Sequence, residues 1–308
     1  MSRTNRILAQ QLSEDFILSK LQSMVDMHLW PSREKLDPHA WLKIFQESEM
    51  PYAINLLNIF IYYNEPMTDA LFRAAIQSLS ASLTRSATSL ASAKEQWRAY
   101  FGNIIVTYVE GEKPNPTDSG KLFARKARQV LGINEEKIVE PMEALSLVLN
   151  NPASTILFVD DFVGSGNQMY TTWVRRYELQ NGNINSFSNI SKYGGEYIYT
   201  PLIATSFGIE NIEKSCFNLK IFPVYIFDTK YSLISTESIL WPEKLKKNAI
   251  DVLYKASKRA GIVDNYKYGW KGFNNLALPL AFWHSVPDAT LPLYFWESEH
   301  WYPLIRRS

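Results

Sequence analysis

The chain has 308 residues, 46% hydrophobic and 20% charged, a globular mixture with enough apolar material for one large domain or two ordinary ones. Lys+Arg 32 against Asp+Glu 31 excludes a global basic field that would gather nucleic acid or anionic lipid. The single cysteine, Cys216, can form no internal disulfide, and His28, His39, His284 and His300 show no helical pair and no cysteine partner for a zinc site.

In chain order, the N-terminal MSRTNRILAQQLSEDF carries neither an apolar signal region nor a small-residue cleavage site. No apolar run approaches the roughly 18 to 20 residues of a membrane span. The expectation is a cytoplasmic protein. The first hundred residues read as helical. In AWLKIF and YAINLLNIFIYY, apolar residues return at helical spacing (Trp41, Ile44, Phe45; Leu56, Leu57, Phe60). After the turn NEPM, Thr68 is the expected N-cap of a third helix carrying Leu71, Phe72, Ile76 and Leu79. A helix-turn-helix over 50–83 is the competing assignment, but before position 85 the last helix offers only Arg73 to phosphates or base edges, which favours a packing bundle.

From about residue 100 strands alternate with helices: NIIVTYV, GKLFARKARQVL, PMEALSLVL, TILFV, NQMYTTWVRRYEL, YTPLIATSF, GIENIEKSCF and KIFPVYIF. This rhythm predicts an α/β fold, a parallel sheet flanked by helices, preceded by an N-terminal helical bundle. The expected division is 1–95 for the helical region and 96–308 for the α/β domain with an irregular C-terminal extension. WPEKLKKNAIDVLYKASKRAG reads as a helix with Pro242 at its start and Gly261 as its stop. In the aromatic and proline-rich remainder, LPLYFW is a candidate edge strand. Tyr268, Trp270 and Phe273 are candidates either to stack on a base or to pack that segment.

The stretch ILFVDDFVGSGNQ, residues 156–168, carries the chemistry. An all-apolar run with β-branched and aromatic members reads as a strand covered on both faces, and Asp160 and Asp161 are expected where it surfaces. Gly164, Ser165, Gly166, Asn167 and Gln168 then form a small-residue loop opening a helix. Main-chain amides at a helix start suit a phosphate, and adjacent carboxylates suit a vicinal diol. Together they fit a ribose 5-phosphate; the bland alternative is an acidic turn and a helix cap. In PTDSGK, Ser119, Gly120 and Lys121 are candidates for a diphosphate site, with a helix cap and a surface lysine as the equally supported alternative.

ILFV-DD-FV-GSGNQ resembles the phosphoribosyl-diphosphate signature of type I phosphoribosyltransferases. With WLKIF, LLNIF-IYY, PTDSGK and the ending TLPLYFWESEHWYPLIRR, most of the chain is similar to phosphoribosyltransferase-like effectors of prokaryotic conflict systems, including retron-type antiviral operons. The resemblance implies that Asp160 and Asp161 hold the ribose hydroxyls and act at the reaction centre, while residues 164–168 wrap the 5-phosphate. It implies phosphoribosyl diphosphate or a related nucleotide as ligand, Mg2+ arriving with the diphosphate rather than a resident metal, and transfer or cleavage of a ribosyl group. A reverse transcriptase with its nucleic acid is the implied partner, and no membrane is involved. The alternative is a catalytically inactive nucleotide sensor or partner-binding module on the same fold.

Overall fold

The computed structural model describes residues 13–111, 119–179, 182–262 and 268–307. The chain divides into two compact units: one contains Met1–Asn64 and Thr229–Ser308, the other Glu65–Asp228. The break suggested by composition near residue 95 lies inside a helix instead, because the small polar stretch before it continues into helical structure.

The first unit opens with α1 (Glu14–Asp26), capped by the Ser13 hydroxyl, which accepts from the Phe16 amide. It continues with α2 (Pro38–Leu42), capped by Asp37, and α3 (Met50–Ile59). The expected helix through IFIYY stops at Ile59, and Ile61–Tyr63 form strand β1. β-Branched and aromatic side chains suit that pleated segment, and the strand rules out a helix-turn-helix here.

The second unit begins with α4 (Glu65–Leu83). Thr68 is not its cap: it lies buried within the first turn, and its hydroxyl donates back to the Glu65 carbonyl. Helix α5 (Leu90–Gly102) has no buried residue. Then come β2 (Ile104–Tyr108), α6 (Ser119–Leu131), α7 (Pro141–Asn150), β3 (Thr155–Val163) and α8 (Asn167–Val174). Helix α8 ends five residues earlier than its sequence suggests. Arg175 turns extended, and β4 (Tyr177–Glu178) pairs with β5 (Ile184–Asn185). After α9 (Phe187–Ile190) come β6 (Glu196–Thr205), α10 (Ser206–Ser215), β7 (Leu219–Ile221) and β8 (Tyr225–Phe227). KIFPVYIF thus supplies two short strands rather than one. Pro223 between them has no amide hydrogen to continue the ladder.

Strands β2, β3, β6 and β7 lie side by side in that order, with β8 also against β6, and every pairing is parallel. The α/β fold with a flanked parallel sheet is as the sequence predicts. Ile156, Leu157, Phe158 and Val159 are fully buried, which explains their unbroken hydrophobicity: helices cover both sides. Ile138 adds one parallel bridge to Val106 on the side of β2 away from β3. The chain therefore leaves β2 outward, touches the sheet at Ile138, and crosses back to β3. The order reverses between β2 and β3, and in open parallel sheets such a reversal opens a crevice at the carboxyl ends of the strands.

The first unit closes with α11 (Glu243–Arg259), ended by Gly261 at φ +74°, the two-residue strands β9 (Tyr268–Gly269) and β10 (Gly272–Phe273), and β11 (Leu280–Phe282), which pairs parallel with β1. LPLYFW is a short 3-10 turn over Pro292–Tyr294, not an edge strand. Among the described residues no helix is long and apolar enough to cross a membrane.

One face of the sheet in the second unit is held by aromatic packing. Trp173 stacks on Phe187 (centroids 6.1 Å apart) and meets Tyr197 edge-on at 5.3 Å. Replacing Trp173 by Ala leaves a large void there. A stability loss of about 3–5 kcal/mol is expected, read as a lowered urea midpoint.

Candidate functional site

Strand β3 does not end at its aspartates. Its ladder with β6 continues through Phe162↔Ile203 and Val163↔Ala204, so Asp160 and Asp161 lie within the strand and are only 2% and 5% exposed. The sequence expectation that they sit where the strand surfaces is corrected by this longer ladder.

Burial forces the carboxyl groups to find protein partners. Asp160 Oδ2 accepts from the Tyr199 hydroxyl at 3.0 Å, and its Oδ1 accepts from the Asp161 amide at 2.9 Å. Ser119 Oγ lies 3.1 Å from Asp160 Oδ1 and 2.9 Å from Asp161 Oδ1. One hydroxyl has one proton to give, so it cannot satisfy two ionised carboxylates fully. Burial first, and then the adjacent Asp161 charge, push the Asp160 carboxyl well above the ordinary carboxylate range. Burial first, and then the neighbouring Asp160 carboxyl, raise the Tyr199 phenol.

The loop that follows is braced from the next strand. Gly166 takes a left-handed conformation (φ +81°) immediately before α8, which any Cβ would strain. Ser165 Oγ accepts from the Asn167 amide at 3.3 Å, and Asn211 Nδ2 donates to the Ser165 carbonyl at 2.9 Å. Thr205 donates to the Gly164 carbonyl and accepts from the Gly208 amide, so one residue both caps α10 and holds the loop. A Cβ on Gly166 would stand 2.8 Å from the Gly208 carbonyl oxygen, and one on Gly208 would stand 2.5 Å from that of Gly164. Ser165 is buried, whereas the Asn167 and Gln168 side chains are exposed at the first turn of α8. The leading amides of a helix lack intrahelical acceptors, so this turn offers donors and the positive end of a dipole.

Ser119, Gly120 and Lys121 open α6 alongside. A Cβ on Gly120 would lie 2.6 Å from the Val109 carbonyl oxygen, so glycine is what lets this helix start against the end of β2. Lys121 Nζ lies 5.5 Å from the ring centroid of Tyr108. Pro116, Thr117 and Asp118 of the same motif lie outside the described residues. Just beyond β2, the buried Glu110 carboxylate accepts from Arg175 Nη1 (2.7 Å) and the Tyr177 hydroxyl (2.6 Å), and Arg175 Nη2 donates to the Gly111 carbonyl at 2.8 Å. The ends of β2 and α8 are thereby bolted together.

The structure thus brings Asp160, Asp161 and Ser119 into direct contact, with residues 164–168 following on the same strand. Sequence reasoning missed Tyr199, Thr205, Asn211 and the Glu110–Arg175–Tyr177 group. A tyrosine inside a wholly buried strand does signal a hydroxyl in need of a partner, so Tyr199 was findable in principle. Of the three aromatic candidates, Trp270 offers no open face for a base. In the first unit Trp270 is 4% exposed and packs 5.6 Å from Tyr254.

A parallel sheet with a reversal beside β3, acids on that strand and a small-residue loop opening a helix define a phosphoribosyltransferase-like architecture. A family model described as PRTase-CE matches residues 38–307, and the chain belongs to that family. No curated protein shows a significant sequence match to it.

Two measurements follow from this geometry. Gly208→Ala gains up to about 1 kcal/mol of helix propensity but forces a methyl into the Gly164 backbone, at a cost of about 1–3 kcal/mol. Thermal melting should show a net loss. The second concerns pH. Asp160 keeps its proton to higher pH in the fold than in the unfolded chain, so between those two values the folded state binds more protons. Its contribution to stability is therefore lost as pH rises through that window. Asp160→Asn, with no proton to lose, should melt above wild type at neutral pH. The difference should vanish below the ordinary aspartate pKa of about 3.9.

Proposed function

We propose that this protein binds phosphoribosyl diphosphate or a related ribose phosphate at the carboxyl end of β3 and transfers or cleaves a ribosyl group. The observation that carries the reading is the direct run of Asp160 and Asp161 into the braced Gly164–Gln168 turn at the start of α8, beside the point where strand order reverses. The amides of that turn receive the 5-phosphate, the acids face the ribose hydroxyls, and the first turn of α6, with Ser119, Gly120 and Lys121, receives the diphosphate.

In the reaction, a nucleophile attacks C1 as diphosphate departs, through a cationic, oxocarbenium-like transition state. A carboxylate beside the ring stabilises that charge as it develops. Among the described residues no group of three His, Cys, Asp or Glu could cage a metal by itself. Mg2+, which prefers oxygen ligands and commonly arrives with phosphates, fits this donor set only when the diphosphate supplies much of its shell. Bound there, it would neutralise charge on the leaving group. The reading extends, on the sequence resemblance, to an effector in antiviral defence partnered by a reverse transcriptase and its nucleic acid.

Titration calorimetry with phosphoribosyl diphosphate and Mg2+, alongside an assay for released diphosphate, tests this. Saturable binding that weakens at least about 30-fold in Asp161→Asn is expected, a loss of about 2 kcal/mol, as for a charge-assisted hydrogen-bond acceptor. No binding by the wild type would end the proposal. Binding without turnover would favour the sensor alternative, whose support is that Asp160 is already engaged by Tyr199 and the Asp161 amide.

A further inference from the structure

The two helix starts assigned to anions belong to different elements, α8 after β3 and α6 after β2, and a ligand charged at both ends needs them at a fixed separation. A closed ring of contacts sets it. From β3 the chain passes through the braced 164–166 turn into α8, where the fully buried Thr172 holds Glu110, two residues beyond β2, by both main-chain groups. The Thr172 hydroxyl accepts from the Glu110 amide at 3.0 Å and donates to the Glu110 carbonyl at 3.2 Å. The buried Glu110 side chain is gripped as well, by Arg175 Nη1 and the Tyr177 hydroxyl, both at Oε2. Burial, and then the Glu110 carboxylate, push the Tyr177 phenol up, so it stays a donor at neutral pH. The residue before Glu110 is Val109, whose carbonyl oxygen would stand 2.6 Å from a Cβ on Gly120. Whatever fixes Glu110 therefore fixes the surface against which α6 starts. Ser119 then returns the ring to β3, at Asp160 and Asp161.

We infer that Thr172, Arg175 and Tyr177 are positioning residues which, through Glu110, set the span between the starts of α8 and α6 and so select a ribose 5-phosphate carrying a second phosphate group at C1 over one with a single phosphate. A ligand anchored at both ends makes its second contact as an intramolecular event, and that gain disappears when the separation is wrong. A ligand anchored at one end is indifferent to the separation. This inference rests on the ribose-phosphate reading above and adds what keeps its two anion sites in register.

Three probes are titrated by calorimetry into the full chain: phosphoribosyl diphosphate with Mg2+, and its two ends separately, ribose 5-phosphate and inorganic diphosphate with Mg2+. The variant Thr172→Val with Tyr177→Phe removes three hydrogen bonds to Glu110 and leaves its Arg175 partner; Tyr177→Phe alone is the milder form should the pair fail to melt cooperatively. Affinity for phosphoribosyl diphosphate should fall about 10-fold in the double variant, while each single-ended probe stays within about 3-fold of wild type. Thr172→Ser, which keeps the hydroxyl, should restore the tight binding that Thr172→Val loses. A merely structural role would weaken all three probes together. Equal losses for the three, or no loss for phosphoribosyl diphosphate, would overturn the positioning role while leaving the ribose-phosphate site standing. Absence of phosphoribosyl diphosphate binding in the wild type would sink both.

Discussion

Two carboxyl groups on consecutive residues, held out of water, cannot both ionise cheaply. In bulk solvent their repulsion at a few ångströms is about 1 kcal/mol; at the lower effective dielectric of a protein site it is several times larger. The surroundings of β3 answer this with a phenol, a main-chain amide and one shared hydroxyl, and with an Asp160 that holds its proton unusually tightly. The rest of the site is arranged around that constraint. The start of α6 must come close enough to bring in Ser119, which requires Gly120 against β2, and β6 must offer Tyr199 at the right register.

The loop between β3 and α8 obeys a different rule, close backbone approach rather than charge balance. Gly166 and Gly208 let the β3–α8 turn lie directly against the start of α10, and Thr205 and Asn211 fasten it there. A site built this way is stiff because its supports come from a neighbouring strand and helix rather than from its own loop. Preorganised donors of that kind need no rearrangement when an anion arrives.

What the sequence revealed depended on range. ILFV announced a doubly covered strand because an unbroken apolar run has few other uses, and GSG announced close approach because glycine has no Cβ. What approaches those glycines was invisible: Gly208 and Ile212 lie some forty residues away, and no local pattern encodes a contact at that distance. The same holds for Ser119 against Asp160 and Asp161. Local readings failed where a neighbouring strand overrode propensity. IFIYY, helical by periodicity, yields to pairing of β1 with β11, and LPLYFW, extended by composition, curls because Pro292 opens a tight turn.

The two halves of the first unit lie at opposite ends of the chain, with the whole sheet-bearing unit between them in sequence. A ribosome delivers residues in order, so Glu65–Asp228 is complete and able to gather its sheet while β1 is still waiting for β11 to be made. Such late closure leaves the apolar side chains of α3 uncovered during synthesis. A nonsense mutation near the carboxyl terminus would therefore do more than trim a tail: it would strand the opening segment of the polypeptide without its mate.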